Sequence, residues 1–381
     1  MNRLARQILT ALGVLALLYL FLISIGLMGA SFKMFGKDLA DQIFKFTDDS
    51  PIRGLFIGIL ATSLVQSSST TTSMVVGMVA GGVLSVQGAI PIIMGANVGT
   101  SVTNTLVSLG HITRRREFQR AFAASTVHDV FNLMSVLILF PLQFYTKFLG
   151  IAAEHMGKAF QNVGGLEMFN PLKAVTEPAI KFIKHHTREL IEQQNLAAIV
   201  VLVLGVVFLF ISLKYLTRSL RQIVLARRAG FFERHMFGSP ARGFTVGVVL
   251  TTLVQSSSVT TSVAVPLAGA GILSLRQIFP FTLGANIGTT VTAILASLAM
   301  PQLDPNAPPA AVLAPVTVAF SHLLFNICGI IVITAPPPMR AVPLRVAEWL
   351  SVLAMRRRWL PIVYVIGIFF VVPVVVIFLS R

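Results

Sequence analysis

A chain of 381 residues with 55% apolar side chains, 12% charged ones and a mean hydropathy of +0.82 is too apolar for a soluble domain of that length. Its formal charge of +16 does not point to nucleic acid, because the basic residues sit in short clusters between apolar runs and not along one amphipathic face. Composition therefore implies an integral membrane protein whose surroundings are the lipid bilayer, with no nucleic acid partner. The one cysteine, Cys328, falls in a predicted span, so an intramolecular disulfide is excluded and a packing role is expected.

Residues Ile8 to Met28 follow Arg3 and Arg6, and the run is too long for a signal-peptide core, so a retained first span is expected. Apolar runs then cover 54–80, 84–109, 121–150, 196–213, 243–269, 272–298, 312–334 and 359–380. Within them the stretch Arg53–Leu109 aligns without a gap on Arg242–Leu298. Gln66-Ser67-Ser68-Ser69 thus returns as Gln255-Ser256-Ser257-Ser258, and Gly95-Ala96-Asn97-Val98-Gly99-Thr100 as Gly284-Ala285-Asn286-Ile287-Gly288-Thr289. Beyond the gap-free part, His128 to Asn132 finds an echo in His322 to Asn326.

Lysine and arginine orient the copies. Copy one begins after Asp48 and Asp49 and ends at Arg114-Arg115-Arg116 with Arg120. Copy two begins after Lys214, Arg218, Arg221, Arg227, Arg228 and Arg234 and ends in the arginine-free Pro301 to Pro309. Copy one is therefore expected to run outside to inside and copy two inside to outside, the pattern of inverted-topology repeats. Each copy must cross an odd number of times yet holds two apolar runs, so the serine-bearing runs 54–80 and 243–269 are expected to be re-entrant hairpins.

The expected fold is an all-α polytopic membrane protein with about seven crossings. Residues 1–152 form the first repeat, with its span, hairpin 54–80 and spans 84–109 and 121–150. Residues 153–195 form a polar extracytoplasmic loop. Residues 196–335 form the second repeat, with its span, hairpin 243–269 and spans 272–298 and 312–334, and residues 336–381 form an interfacial segment and a final span. The N-terminus is expected in the cytoplasm and the C-terminus outside, with Arg340–Arg358 along the inner surface.

Four adjacent hydrogen-bonding side chains inside an apolar run are a liability unless they bind something polar. The Gln-Ser-Ser-Ser motifs continue into Thr71, Thr72 and Ser73 and into Thr260, Thr261 and Ser262, all neutral oxygen ligands. Such oxygens suit sodium, whereas a proton-coupled core would need a carboxylate or histidine in the motif. Glycines flanking Asn97 and Asn286 would let each helix break, directing freed N–H groups toward an anion and carbonyls toward a cation. An oxyanion together with sodium fits this inventory. Close packing of small residues is the bland alternative for any single serine, but not for the duplicated set.

Arg53 and Arg242 precede the two hairpins and either draw anions or snorkel at the interface. His128, His322, Asn132 and Asn326 are candidates for a supporting role behind the ligands, or for simple helix-to-helix hydrogen bonds. Asp129 either binds a cation or pairs with the Arg114–Arg120 loop.

The segments VQSSSTTTSMVVGMV, PIIMGANVGTSVTNT, EFQRAFAASTVHDVFN, LVQSSSVTTSV and LGANIGTTVTA resemble the type II sodium-phosphate cotransporters, and the resemblance covers nearly the whole membrane region. It implies sodium-driven symport of inorganic phosphate by a carrier that is not an enzyme, with Na+ as coupling ion and no organic cofactor. It further implies sodium sites at Gln255, Ser256, Ser257, Thr289 and Thr292 and at their mates Gln66, Ser67, Ser68, Thr100 and Thr103. Phosphate would lie between the hairpin tips on Ser67, Ser68, Ser69, Asn97, Ser257, Ser258 and Asn286. Electrogenic vertebrate members carry an acidic residue shortly before the EF-x-RA stretch, where this chain has Thr113 and three arginines, which implies one sodium site fewer. The short cysteine-free outer loop and the single span beyond Arg358 resemble a compact bacterial member, expected in the inner membrane.

Two other readings are a carrier of another oxyanion, such as sulfate or arsenate, and an intramembrane serine hydrolase pairing a serine with His128 or His322. The hydrolase lacks a nucleophile-elbow or Ser-Lys pattern. Oligomeric state is not encoded in any motif.

Overall fold

The computed structural model describes residues 3–34, 46–47, 49–162, 170–225, 237–299, 309–357 and 359–380, and every regular element among them is a helix. Asp48, Arg227, Arg228, Arg234, residues 301–308 and Arg358, which entered the orientation argument, lie outside the described residues. Among the described residues, five helices are long and apolar enough to cross a membrane: Arg115–Thr146, Gln194–Ser212, Leu275–Ala299, Ala310–Thr334 and Leu360–Leu379.

Helix α1 (Arg3–Met34) leads to a pair of short helices, α2 (Pro51–Val65) and α3 (Ser68–Ala80). Ser50 caps α2 by accepting the Arg53 amide, and Pro51 occupies its first turn, where a missing N–H costs nothing. The helix stops at Gln66, which adopts a left-handed backbone at φ 58°. Ser67 is extended and caps α3 by accepting the Thr70 amide. The second copy repeats each step: Ser239 and Pro240 start α10 (Pro240–Val254), Gln255 ends it at φ 55°, and Ser256 caps α11 (Ser257–Gly269). With 15 and 13 residues, these helices measure about 20–22 Å, against ~30 Å of hydrocarbon. The breaks fall at Gln-Ser in both copies, as expected from the sequence.

After the first pair come α4 (Val86–Gly99), α5 (Val102–Leu109), α6 (Arg115–Thr146) and α7 (Phe148–Asn162). Then follow α8 (Asn170–Leu190) and α9 (Gln194–Leu225), and after the second pair α12 (Leu275–Ala299), α13 (Pro309–Thr334) and α14 (Pro337–Arg356). The final span runs from α15 (Leu360–Ile366) through a π-helical turn, Gly367–Val371, into α16 (Val372–Leu379).

Two expectations are corrected. A break at Gly-Ala-Asn-x-Gly-Thr occurs in copy one, where a turn at Thr100–Ser101 separates α4 from α5, but α12 runs unbroken through Gly284–Thr289. The glycines serve contact instead. A Cβ on Gly95 would collide with the Leu55 carbonyl and one on Gly58 with the Ile92 carbonyl, so α2 and α4 meet backbone to backbone. Gly284 and Gly247 do the same against the Phe244 and Phe281 carbonyls, joining α10 to α12. Second, 153–195 is no loop in its described parts: α7 continues to Asn162, and α8 buries Ile180 and leans Ile183 on the cluster formed with α1 and α9. Its charged residues fall on the other faces, which made it read as polar.

Packing pairs α1 with α9, α7 with α13 and α14 with α6. At the centre the copies interleave. Helix α3 docks on α12 and α13 of the second copy, while α11 docks on α5 and α6 of the first. Cys328 is partly buried in an apolar cluster with Phe325 and Phe369.

Candidate functional site

The helix breaks place the two Gln-Ser-Ser-Ser tips at the centre of the interleaved bundle. They touch: Ser69 Oγ, on the first turn of α3, donates to the Gln255 carbonyl at 3.1 Å. The left-handed backbone at Gln66 and Gln255 is costly for a non-glycine residue and persists where surrounding contacts hold it, commonly at ligand sites. Here the contacts are equivalent. The Gln66 amide nitrogen donates to the Ser63 carbonyl at 2.6 Å and its Oε1 accepts from Thr103 Oγ1 at 2.8 Å. Gln255 Nε2 donates to the Thr252 carbonyl at 2.5 Å and its Oε1 accepts from Thr292 Oγ1 at 2.7 Å.

Four predicted residues are thereby paired as two sets, Gln66 with Thr103 and Gln255 with Thr292. Ser67 and Ser256 act as caps, and Ser68, Ser257 and Ser258 are buried in the first turns of α3 and α11. The Thr100 and Thr289 hydroxyls bond back to the Ala96 and Ala285 carbonyls at 3.1 and 2.9 Å. Each tip also presents the first-turn amides of a helix, the end that carries partial positive charge.

Asn97 and Asn286 sit in a crossed clamp. Histidine and asparagine four residues apart share one helix face, and each such pair grips the asparagine of the other copy. From α6, His128 Nε2 lies 2.7 Å from Asn286 Oδ1, and Asn286 Nδ2 donates to Asn132 Oδ1 at 2.7 Å. From α13, His322 Nε2 lies 3.1 Å from Asn97 Oδ1, and Asn97 Nδ2 donates to Asn326 Oδ1 at 2.8 Å. An amide oxygen only accepts, so both imidazoles carry their proton on Nε2 in this arrangement. Asn132 Nδ2 also donates to the Asn97 carbonyl at 2.9 Å, tying α4 to α12 through α6. All six side chains are buried.

Several participants are invisible to motif reasoning. Asn104, whose repeat mate is Ala293, accepts from Thr261 Oγ1 at 2.8 Å and lies 3.4 Å from His128 Nδ1, linking α5, α11 and α6. Asp129 is fully buried and does not pair with the arginine loop; its Oδ2 accepts from Thr105 Oγ1 and from Tyr364 OH, each at 3.2 Å. The Ser101 hydroxyl neighbours the same carboxylate. Thr62 and Thr251, repeat mates one turn before the two glutamines, have buried hydroxyls without a partner. That pair was legible in the gap-free alignment; Tyr364, on the final span, was not.

Arg53 is not free to meet an anion. Its guanidinium bonds the Phe46 carbonyl at 2.8 Å and the Ser380 carbonyl, and stacks 4.5 Å from the Phe46 ring. It fastens the start of α2 to the end of the final span, whereas Arg242 is exposed.

The profile of the Na+/Pi-cotransporter family matches residues 20–176 and 207–334. Sodium-dependent phosphate transport protein 2B of Homo sapiens is 33% identical over 452 residues, covering 96% of this chain and 64% of that protein. Sodium-dependent phosphate transport protein 2A of Rattus norvegicus is 35% identical over 434 residues, covering 96% of this chain and 67% of that protein. The chain thus spans about two thirds of the length of these relatives. No solved structure matches it. It belongs to the Na+/Pi-cotransporter family, one of membrane transporters rather than enzymes.

Proposed function

We propose that this protein is a sodium-coupled symporter of inorganic phosphate, which it imports by alternating access. The observation that carries the reading is the pair of equivalent Gln-Ser-Ser-Ser tips in contact at the bundle centre, built from neutral oxygens and helix N-terminal amides. Sodium is assigned to the two glutamine corners. One comprises Gln66, Ser67, Ser68, Thr100 and Thr103, the other Gln255, Ser256, Ser257, Thr289 and Thr292. Phosphate is assigned to the meeting point of the two tips, against Ser67, Ser68, Ser69, Ser257 and Ser258. The side-chain amides of Asn97 and Asn286 are taken up by the clamp, so their part is to hold the cradle's shape.

Doubly charged phosphate alone in an apolar core is prohibitive, and sodium bound beside it offsets that desolvation. Asp129, with Ser101, Thr105 and Tyr364, adds a negative oxygen cluster at which a further cation is stabilised. The copies are taken as inverted repeats, with hairpins entering from opposite faces, and transport as a rocking of one against the other about the clamp. A serine hydrolase is disfavoured by His128 and His322, which hold asparagines and no serine.

Uptake of labelled phosphate into proteoliposomes tests the coupling: an inward sodium gradient is expected to drive it, and uptake unchanged when potassium replaces sodium refutes it. Excess unlabelled sulfate in the same assay separates the oxyanions. Undiminished phosphate uptake supports the assignment, while competition at equal concentration favours a broader oxyanion carrier.

A further inference from the structure

The chain has two tryptophans, Trp349 and Trp359, and both are exposed, at 61% and 53%. They belong to one surface. Helix α14 buries Pro343, Ala347, Ser351 and Ala354, a stripe at spacings of four, four and three that faces α6. The opposite face carries Arg345, Trp349, Val352 and Arg356 at spacings of four, three and four, all exposed. Arg357 continues this ridge, its guanidinium 5.9 Å from the Trp359 ring. Where α14 packs on the start of α6, through Phe118, Leu350 and Ala354, it lies beside exposed Arg115 and Arg116. Glu348 is the one acidic residue on α14.

None of the described residues covers this ridge, and its composition specifies what does. Tryptophan favours the boundary where one side is apolar and the other wet, and guanidinium forks match phosphate oxygens. A helix with one face docked and an arginine-tryptophan face outward has the signature of an element lying in the membrane interface. We infer that the Arg345–Trp349–Val352–Arg356 face of α14, with Arg357 and Trp359, is a docking surface for the phosphate headgroups of anionic phospholipids. They belong to the leaflet on the side of Arg115 and Arg116. The consequence is mechanical. The helix these lipids hold is packed on α6, the helix that carries His128 and Asn132 of the clamp, so leaflet charge bears on the core through one rigid contact.

Both tryptophans lie on the surface in question, so intrinsic emission reports on it with no engineered probe and independently of transport. The full chain is reconstituted in phosphatidylcholine vesicles containing equal fractions of brominated phosphatidylglycerol or brominated phosphatidylcholine. Quenching by the brominated anionic lipid is expected to exceed that by the neutral one about twofold, and about 1 M salt is expected to shrink the difference. In the Arg345→Gln, Arg356→Gln, Arg357→Gln variant the two lipids should quench alike. Equal quenching in the unaltered protein overturns the proposal, as does a preference that survives both salt and the triple substitution. If the variant does not reconstitute, the salt series on the unaltered protein decides alone.

Discussion

At the scale of single residues, the chemistry of the centre depends on groups whose hydrogen bonds leave little slack. Asn286 satisfies His128 and Asn132 at once, so Asn286→Ala leaves two buried polar groups unpaired, at about 1–3 kcal/mol each. A large fall in the melting temperature of the purified protein is expected, and an unchanged one would show that the clamp carries no load. Ser69→Ala is milder, since it removes one hydrogen bond between tips, worth about 1 kcal/mol. Phosphate affinity should fall several-fold with little loss of stability, read from the phosphate concentration dependence of uptake. Much of this centre was legible: the glutamines, the serines, Thr103, Thr292 and the four helix-borne clamp residues all follow from duplication of polar side chains in apolar runs. Asn104 and Tyr364 were not, because neither has a polar mate in the other copy and only folding brings them to His128 and Asp129.

At the scale of elements, serine, proline and glutamine set where helices start and stop, and glycine sets how close they come. The helix breaks at Gln66 and Gln255 could be read from sequence because Ser-Pro starts a helix and an abrupt polar tetrapeptide interrupts one. The glycines of the second Gly-Ala-Asn-x-Gly-Thr were misread as helix breakers, since a sequence does not distinguish a glycine that bends its own helix from one that admits a neighbour's backbone. Gly58→Val and Gly247→Val should therefore be severe, because the added atoms meet backbone carbonyls and overpacking of this kind costs about 1–3 kcal/mol or more. Gly13, which has open space around it, should tolerate alanine. Comparable thermal stability of all three variants would contradict the close contacts α2–α4 and α10–α12. Helix α8 was missed for a different reason: its lysines, histidines and glutamates give the average of a loop, and only the burial of Ile180 on α1 and α9 reveals a helix.

At the scale of the whole molecule, two copies of one unit meet through their serine tips and trade clamps, each holding the other's asparagine. The proposed inverted insertion makes a separate prediction. Cysteines placed at exposed Asp49 and Arg242, in a Cys328→Ala background, should react with an impermeant maleimide from opposite faces of the membrane, and labelling from one face would contradict the opposed orientation. The most direct test of the central claim is the sodium dependence of labelled phosphate uptake in proteoliposomes, compared for the unaltered chain, Gln66→Ala and Gln255→Ala. Loss of either glutamine corner is expected to raise the sodium concentration for half-maximal uptake on the order of tenfold, about 1.4 kcal/mol, in protein that inserts and folds normally. Uptake with unaltered sodium dependence in both variants would show that the paired corners pack the bundle and do not bind the coupling ion.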